Sequence, residues 1–214
     1  MLQKQWSYLM IAKNISAMET ATVVPKYIPL MQKPKCCAVG CLQMILYRNG
    51  YGLYDQEDLA IEFGVKIGSD DRHAFREDMP IMTEFNCDEG ISTVGSVDKI
   101  NSFFERSSIA LEATAYPYAS LGTLEELIAD NLPQNNDIWI EYHSHEVHAG
   151  DRDNKRIHDA LLESFDKKTG TAVLIDPKPG RRQRVTVPLG TLERSLSGQF
   201  GKELGIVVVR KTTP

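Results

Sequence analysis

Helical patterns dominate this sequence up to about position 134, and strand patterns dominate the remainder. The clearest helix is predicted from Cys37 to Arg48, where apolar residues recur at helical spacing and Asn49-Gly50 supplies a stop signal. The clearest strand contains Ile206-Val-Val-Val209, a run of β-branched residues. Helices early and strands late indicate an α+β fold rather than alternating β-α-β units.

Further elements follow from cap and turn signals. Asp55 is a good N-cap for a second helix that ends at Gly64, and a third helix is predicted from Ser96 to Arg106. Thr123-Leu-Glu-Glu126 is a capping box that opens a short fourth helix. Strands are predicted for Asp137 to Tyr142, Thr171 to Asp176, Arg184 to Val187 and Leu204 to Arg210.

The bulk composition is that of a soluble globular protein. The chain has 214 residues, 42% of them hydrophobic, and a net charge of −5, so we expect one domain and no nucleic-acid partner. The four cysteines include an adjacent pair, which favours reduced thiols over a disulfide framework. The apolar run from Trp6 to Ala12 is too short to span a bilayer and lacks a cleavage site, so we expect no membrane insertion and a cytoplasmic location. Export by a route without a signal peptide stays open.

Cys37 has the sequence context of a nucleophile. It opens an apolar helix, where unpaired N–H groups and the helix dipole favour the thiolate. Gln32 precedes it by five positions, near enough to join the Cys37 backbone N–H in an oxyanion hole. The small residues Ala38 and Gly40 let a substrate or a neighbouring strand approach the first turn. The alternative is that Cys37 and Cys41 are simply buried residues of a core helix.

A base and an orienting carboxylate are predicted in the second half of the chain. If His158 to Asp166 and Thr171 to Asp176 are both strands, the intervening turn folds them into a hairpin that returns Asp176 toward His158. Asp176 can then accept a hydrogen bond from the imidazole and fix its tautomer. Periodicity alone favours a helix in this segment, because helical spacing also relates Ile157, Ala160, Leu161, Ser164 and Phe165.

These residues resemble the papain-like cysteine peptidases that trim double-glycine leader peptides, including their stand-alone relatives. The resemblance rests on Gln32, on Cys37-Ala-Val-Gly-Cys-Leu-Gln-Met-Ile-Leu46, and on His158 with the strand end Ile175-Asp-Pro177. It covers roughly Val24 to Val209 as an order of elements. Cys37 is preferred over Cys36 because only that register aligns Met44.

The resemblance implies a single papain-like domain over residues 1–214, with a helical subdomain packed against an antiparallel sheet and the cleft between them. Residues 1–23 form an N-terminal extension, 24–134 the mainly helical part and 135–214 the mainly strand part. The implied roles are Cys37 as nucleophile, His158 as acid and base, Asp176 as the group that orients His158, and Gln32 as oxyanion donor.

The function expected on this basis is a cysteine hydrolase that attacks amide bonds of a peptide or protein through a thioester acyl-enzyme. It needs no metal or organic cofactor. Two alternatives stay open: a transamidase, acyltransferase or amidase with the same triad, and a catalytically inactive relative that only binds peptides.

A cluster of histidines must be weighed against this interpretation. Tyr142-His-Ser-His-Glu-Val-His148 places His143, His145 and His148 close together, as in some zinc sites. No matching ligand pair exists elsewhere except the residues assigned to catalysis, so a solvated or substrate-facing loop is preferred. His148 is the second choice for the catalytic base.

Overall fold

The computed structural model describes residues 20–79, 81–82, 91–148, 156–197 and 204–212. The Trp6 to Ala12 run and Cys87 lie outside these ranges. Within them, none of the helices combines the length and apolar character that a membrane crossing requires. The helices are α1 (Cys37–Arg48), α2 (Gln56–Phe63), α3 (Val97–Arg106), α4 (Leu124–Asn131), α5 (Ser144–Val147) and α6 (Leu189–Leu196).

The strands form one large antiparallel sheet and a two-stranded parallel ladder. The strands are β1 (Thr20–Thr22), β2 (Ile67–Gly68), β3 (Ile81–Met82), β4 (Leu111–Pro117), β5 (Asp137–His143), β6 (Ile157–Asp166), β7 (Thr171–Ile175), β8 (Arg184–Pro188) and β9 (Gly205–Lys211). In the large sheet the order is β4-β9-β5-β6-β7-β8, and β1 pairs with the C-terminal end of β6. The small ladder pairs β2 with β3.

Helix α1 has the predicted bounds and packs against β6. Its apolar residues at helical spacing are all buried, which is what holds the helix on the sheet. Its C-cap is Asn49, whose backbone N–H and side-chain amide donate to Ile45 O at 3.1 and 2.9 Å. The nucleophile candidate therefore opens a helix that is fixed at both its apolar face and its C-terminal end.

The caps of the next helices also agree with the sequence. Asp55 Oδ1 accepts from Glu57 N and Asp58 N at 2.8 and 3.1 Å, and α2 ends at Gly64 with φ 70°. Thr123 Oγ1 accepts from Glu126 N at 3.2 Å at the start of α4.

The segment with an ambiguous pattern is a strand. β6 pairs with β5 on one side and with β7 on the other, and Lys167 to Gly170 form the turn of the predicted hairpin. Residues 158–163 of β6 are all buried, so both faces of the strand are covered and its sequence need not alternate. The register shifts between Leu162 and Ser164, which marks a β-bulge.

Gly205 shows how closely the strands next to the candidate site approach each other. A Cβ at this position would lie 2.5 Å from the main-chain oxygen of Tyr116 and 3.1 Å from Val94 Cγ2. We expect Gly205→Ala to lower the free energy of unfolding by about 1 to 3 kcal/mol, because a carbonyl in a paired strand cannot move aside as a side chain can. Urea denaturation measures this loss.

Gly190, in α6, is the matched control. A Cβ there would meet its nearest atom, on Arg194, only at 3.9 Å, so Gly190→Ala is expected to leave the stability unchanged or to raise it by up to about 1 kcal/mol. Equal effects of the two substitutions would contradict the close approach at Gly205.

Candidate active site

Cys37 is the first residue of α1, and the first turn of this helix is in close contact with the end of the β6–β7 hairpin. A Cβ on Gly40 would lie 3.3 Å from Pro177 Cβ and 3.4 Å from Gln32 Cβ, so the small residue at position 40 permits the approach expected from the sequence. Gln32 N donates to Pro177 O at 2.8 Å. The loop before the helix is thus hydrogen-bonded to the end of the hairpin, and both contact the first turn of α1.

The thiol of Cys37 is hydrogen-bonded to a carboxyl group. Its Sγ–H donates to Asp159 Oδ2 at 3.2 Å. The other oxygen, Oδ1, accepts from Thr93 Oγ1 at 2.5 Å and from Trp139 Nε1 at 2.8 Å. Asp159 is 1% exposed, and Thr93 and Trp139 are equally buried. The carboxyl group of Asp159 therefore has a fixed orientation, with one oxygen directed at the thiol.

Burial raises the pKa of the Cys37 thiol, and the charge of Asp159 raises it further. The backbone N–H groups of Ala38 and Asp159 act in the opposite direction but do not outweigh these causes. The direction is opposite to the lowered thiol pKa that a helix N-terminus favours, and burial is its largest cause. Cys37 as a whole is half-buried.

A second buried carboxyl group lies beside Asp159. Glu141 is its direct cross-strand partner on β5. Glu141 Oε1 accepts from Thr93 N at 3.2 Å, and Oε2 accepts from Ser92 Oγ at 3.4 Å. Burial, followed by the charge of Asp159, raises the pKa of Glu141 to about 8. Burial and the neighbouring carboxyl group therefore both disfavour the ionised form of Glu141.

His158 and Asp176 form the hydrogen-bonded pair that the hairpin predicts. His158 Nε2 lies 2.6 Å from Asp176 Oδ1. Asp176 Oδ2 also lies 3.2 Å from His148 Nε2 and accepts from Arg181 Nη1 at 3.1 Å. Burial alone would raise the pKa of Asp176, but hydrogen bonds from His148 and His158 hold it well below its ordinary value.

The structure does not join these two groups of residues into one hydrogen-bonded chain. Side chains of successive strand residues point to opposite faces of a sheet. His158 contacts Tyr142, with ring centroids 5.7 Å apart, and Asp176, whereas the next residue, Asp159, contacts Cys37. Among the described residues, the hydrogen-bond partner of the Cys37 thiol is Asp159 and not His158.

Gln32 and the three histidines of the 143–148 segment make contacts that do not include the Cys37 thiol. Gln32 Nε2 donates to Lys33 O at 3.4 Å, and Gln32 Oε1 is buried without a partner among the described residues. The rings of His143 and His145 are in tilted contact, with their centroids 5.7 Å apart. His148, the second choice for the base, shares Asp176 with His158 and lies 3.0 Å from the hydroxyl of Tyr142.

Asp159, Glu141 and Thr93 were not identified from the sequence. Asp159 stands in His-Asp-Ala-Leu-Leu and Glu141 in Ile-Trp-Ile-Glu-Tyr, each a charged residue beside a run of three apolar residues. A carboxyl group in such a position needs a buried partner, and that is the signal that would have revealed them. Thr93 carries no comparable signal.

Comparison with known proteins shows the fold. Neither a protein-family model nor a curated protein matches the sequence. Among solved structures, a protein from Bacillus anthracis described as a C39-like peptidase matches with a TM-score of 0.59 and 16% identity, covering 91% of this chain and 99% of that one. A double glycine motif protease from an AMS/PCAT transporter, in complex with the leader peptide, matches with a TM-score of 0.50 and 17% identity, covering 90% and 99%. The chain thus has the α+β papain-like cysteine peptidase fold of these proteins, as the sequence resemblance predicted.

Proposed function

We propose that this protein is a cysteine hydrolase that attacks amide bonds of a peptide or protein, with Cys37 as the nucleophile. The position of the thiol carries the proposal: Cys37 is the first residue of a helix that packs on the central sheet of a papain-like fold. A sulfur at a helix N-terminus lies beside backbone N–H groups without intrahelical partners, which can stabilise an oxyanion. One similar structure holds a leader peptide, which supports a peptide as substrate class.

In the proposed reaction Cys37 Sγ attacks the carbonyl carbon, the C–N bond breaks, and the amine leaves with a proton. Water then hydrolyses the thioester and returns the proton to the thiol. The roles implied by the sequence belong to the same proposal: His158 as acid and base, Asp176 as its orienting group, and Gln32 as oxyanion donor. The 2.6 Å contact of Nε2 with Asp176 supports a tautomer whose Nδ1 is free to accept a proton.

Incubation with a random peptide library, read by mass spectrometry, tests this proposal. We expect the wild-type protein to cleave a subset of peptides, and Cys37→Ala to reduce that cleavage to below about a thousandth, because the acyl-enzyme cannot form. Cys41→Ala, one turn further along α1, is the matched control and should retain cleavage.

Added amines distinguish transfer from hydrolysis in the same experiment. Amine-capped products without hydrolysis would assign an acyltransferase. Cleavage that survives in Cys37→Ala would remove this residue from the reaction.

A second candidate function is peptide binding without turnover. It is favoured by the hydrogen bond from Cys37 to Asp159 and by the raised pKa of the thiol, since both disfavour the reactive thiolate. Wild-type protein that retains library peptides in a pull-down but releases no cleavage products would establish this function instead.

A further inference from the structure

We propose that Gln56 is a positioning residue for the reaction: it holds the backbone on both sides of Gln32 and so fixes where the Gln32 side chain can donate to an oxyanion. This inference rests on the proposed hydrolase function, in which Gln32 is the oxyanion donor. Two contacts support it. Gln56 Oε1 accepts from Lys33 N at 2.9 Å, and Gln56 Nε2 donates to Met31 O at 2.8 Å.

The orientation of the Gln56 amide is determined by its partners. Only one arrangement places its oxygen against a backbone N–H and its NH₂ group against a carbonyl. Nε2 also donates to Gln43 Oε1 at 2.9 Å, and Gln43 Nε2 in turn donates to Tyr54 O. Gln56 is the first residue of α2, and Gln43 lies in α1. The amide therefore links the loop before Cys37 to two helices and cannot rotate without losing hydrogen bonds.

The peptide groups on both sides of Gln32 are held. In the group between Met31 and Gln32, the oxygen accepts from Gln56 and the N–H donates to Pro177 O at 2.8 Å. In the group between Gln32 and Lys33, the N–H donates to Gln56. Because each peptide group is planar, fixing both of them fixes φ and ψ of Gln32 and the direction of its Cα–Cβ bond.

The side chain of Gln32, in contrast, is not committed to a strong contact. Nε2 donates to Lys33 O at 3.4 Å, which is long for an N–H···O bond, and Oε1 is buried without a partner among the described residues. The amide can turn to a substrate carbonyl while its backbone stays fixed. An oxyanion donor must lie within about 2.7 to 3.1 Å of the developing charge, so the placement of the backbone decides whether the side chain reaches it.

The side chain of Lys33 holds the same loop in a different way. Its Nζ donates to Glu57 and, at 2.8 Å, to Ala74 O. These contacts act through a flexible four-carbon stem, so they do not fix the peptide groups next to Gln32. Among the residues that the structure describes, Gln56 is the side chain that bonds to the backbone on both sides of Gln32.

A double-mutant cycle with Gln32 tests the inference on a library peptide that the wild type cleaves. Gln56→Met keeps the size of the side chain but removes its hydrogen bonds, so kcat should fall by about 10- to 100-fold with KM within about twofold, because the donor acts in the transition state. Gln32→Ala should lower kcat by about 10² to 10³-fold. In the Gln32→Ala background, Gln56→Met should change kcat by less than about twofold, whereas a general defect of the fold would lower kcat by the same factor in both backgrounds.

Two measurements without turnover accompany the cycle. Hydrogen exchange of the Lys33 backbone amide, followed by NMR, should be about three- to tenfold faster in Gln56→Met, since this amide loses its acceptor. The rate at which iodoacetamide alkylates Cys37 should stay unchanged, because Gln56 bonds to the loop and to Gln43 and not to the thiol. A disturbed α1 would change that rate.

Two further variants complete the design. Gln56→Glu keeps the inference testable if Gln56→Met does not fold: the carboxylate can accept from Lys33 N but cannot donate to Met31 O, so kcat should fall by about tenfold while exchange of the Lys33 amide stays slow. Gln134→Met is the matched control. It removes the bond from Gln134 Nε2 to Asp130 O, 2.7 Å long, and should change none of these measurements.

The outcomes separate the inference from the proposed function. If the wild type cleaves and Gln56→Met leaves kcat unchanged, or if the two losses multiply in the cycle, the inference is overturned and the hydrolase stands. A wild type that cleaves nothing would overturn the hydrolase together with the role of Gln56 in it. Unchanged exchange of the Lys33 amide in Gln56→Met would overturn the inference in either case.

Discussion

Asp137→Ala is expected to lower the free energy of unfolding by about 3 to 5 kcal/mol, the usual cost of leaving a buried charge without its partner. Asp137 Oδ1 accepts from Arg48 Nη1 at 2.6 Å, and both side chains are almost fully buried. The carboxylate also accepts from the hydroxyl of Tyr27 and, at 2.8 Å, from Asn49 Nδ2. Alanine would leave one cation and two neutral donors without this acceptor.

The substitution bears on the candidate site because Arg48 is the last residue of α1, the helix that Cys37 opens. Guanidinium chloride or urea denaturation gives the loss, with fluorescence of the buried Trp139 as signal. Glu62→Ala is the matched control: it breaks the exposed ion pair with Arg106 and should cost less than about 1 kcal/mol. A comparable small loss in Asp137→Ala would show that the buried pair does not fasten α1 to the sheet.

Local sequence signals were sufficient to predict α1 and the helices that begin after Asp55 and Thr123. Apolar residues at helical spacing and a clear stop at Asn49-Gly50 gave the bounds of α1 without error, and the N-caps Asp55 and Thr123 have the predicted hydrogen bonds. These features depend on residues within a few positions of each other. They are therefore readable from the sequence.

Elements that are stabilised by residues distant in the sequence were harder to predict. Strand β4, from Leu111 to Pro117, and helix α6, from Leu189 to Leu196, were not predicted, although β4 is an edge strand of the main sheet and α6 packs on that sheet. For β6, periodicity favoured a helix, because a strand covered on both faces loses its alternation. Only the resemblance to known peptidases indicated a strand there, and the structure confirms it.

The residue that contacts the Cys37 thiol depends on the register of β6, which no local sequence pattern predicts. Whether His158 or Asp159 faces α1 is decided by the phase of β6, and a bulge between Leu162 and Ser164 shifts that phase by one residue within the strand. The separation of His158 from Asp176 along the chain predicts their pairing, which the structure shows. It carries no information on which face of the sheet the pair occupies.

Asp176→Ala should lower the free energy of unfolding by about 3 kcal/mol at neutral pH, and this loss should shrink in acid. Asp176 is fully buried, and its carboxylate accepts hydrogen bonds from His158, Arg181 Nη1 and Lys178 N. Because the pKa of Asp176 is lower in the folded protein than in the unfolded chain, its ionisation stabilises the fold at pH above about 4, and this stabilisation is lost as the pH falls further.

Denaturation of the wild type and of Asp176→Ala between pH 7 and pH 3 measures this dependence. The difference between them should be constant down to about pH 5 and should decrease below pH 4, in the direction that linkage requires for a lowered carboxyl pKa. Asp58→Ala, at an exposed carboxylate that pairs with Arg76, should cost less than about 1 kcal/mol throughout. A difference for Asp176→Ala that does not vary with pH would mean that the histidines and Arg181 do not hold this carboxyl group in its charged form. The His158–Asp176 pair would then be a neutral packing contact and no longer a candidate acid–base unit.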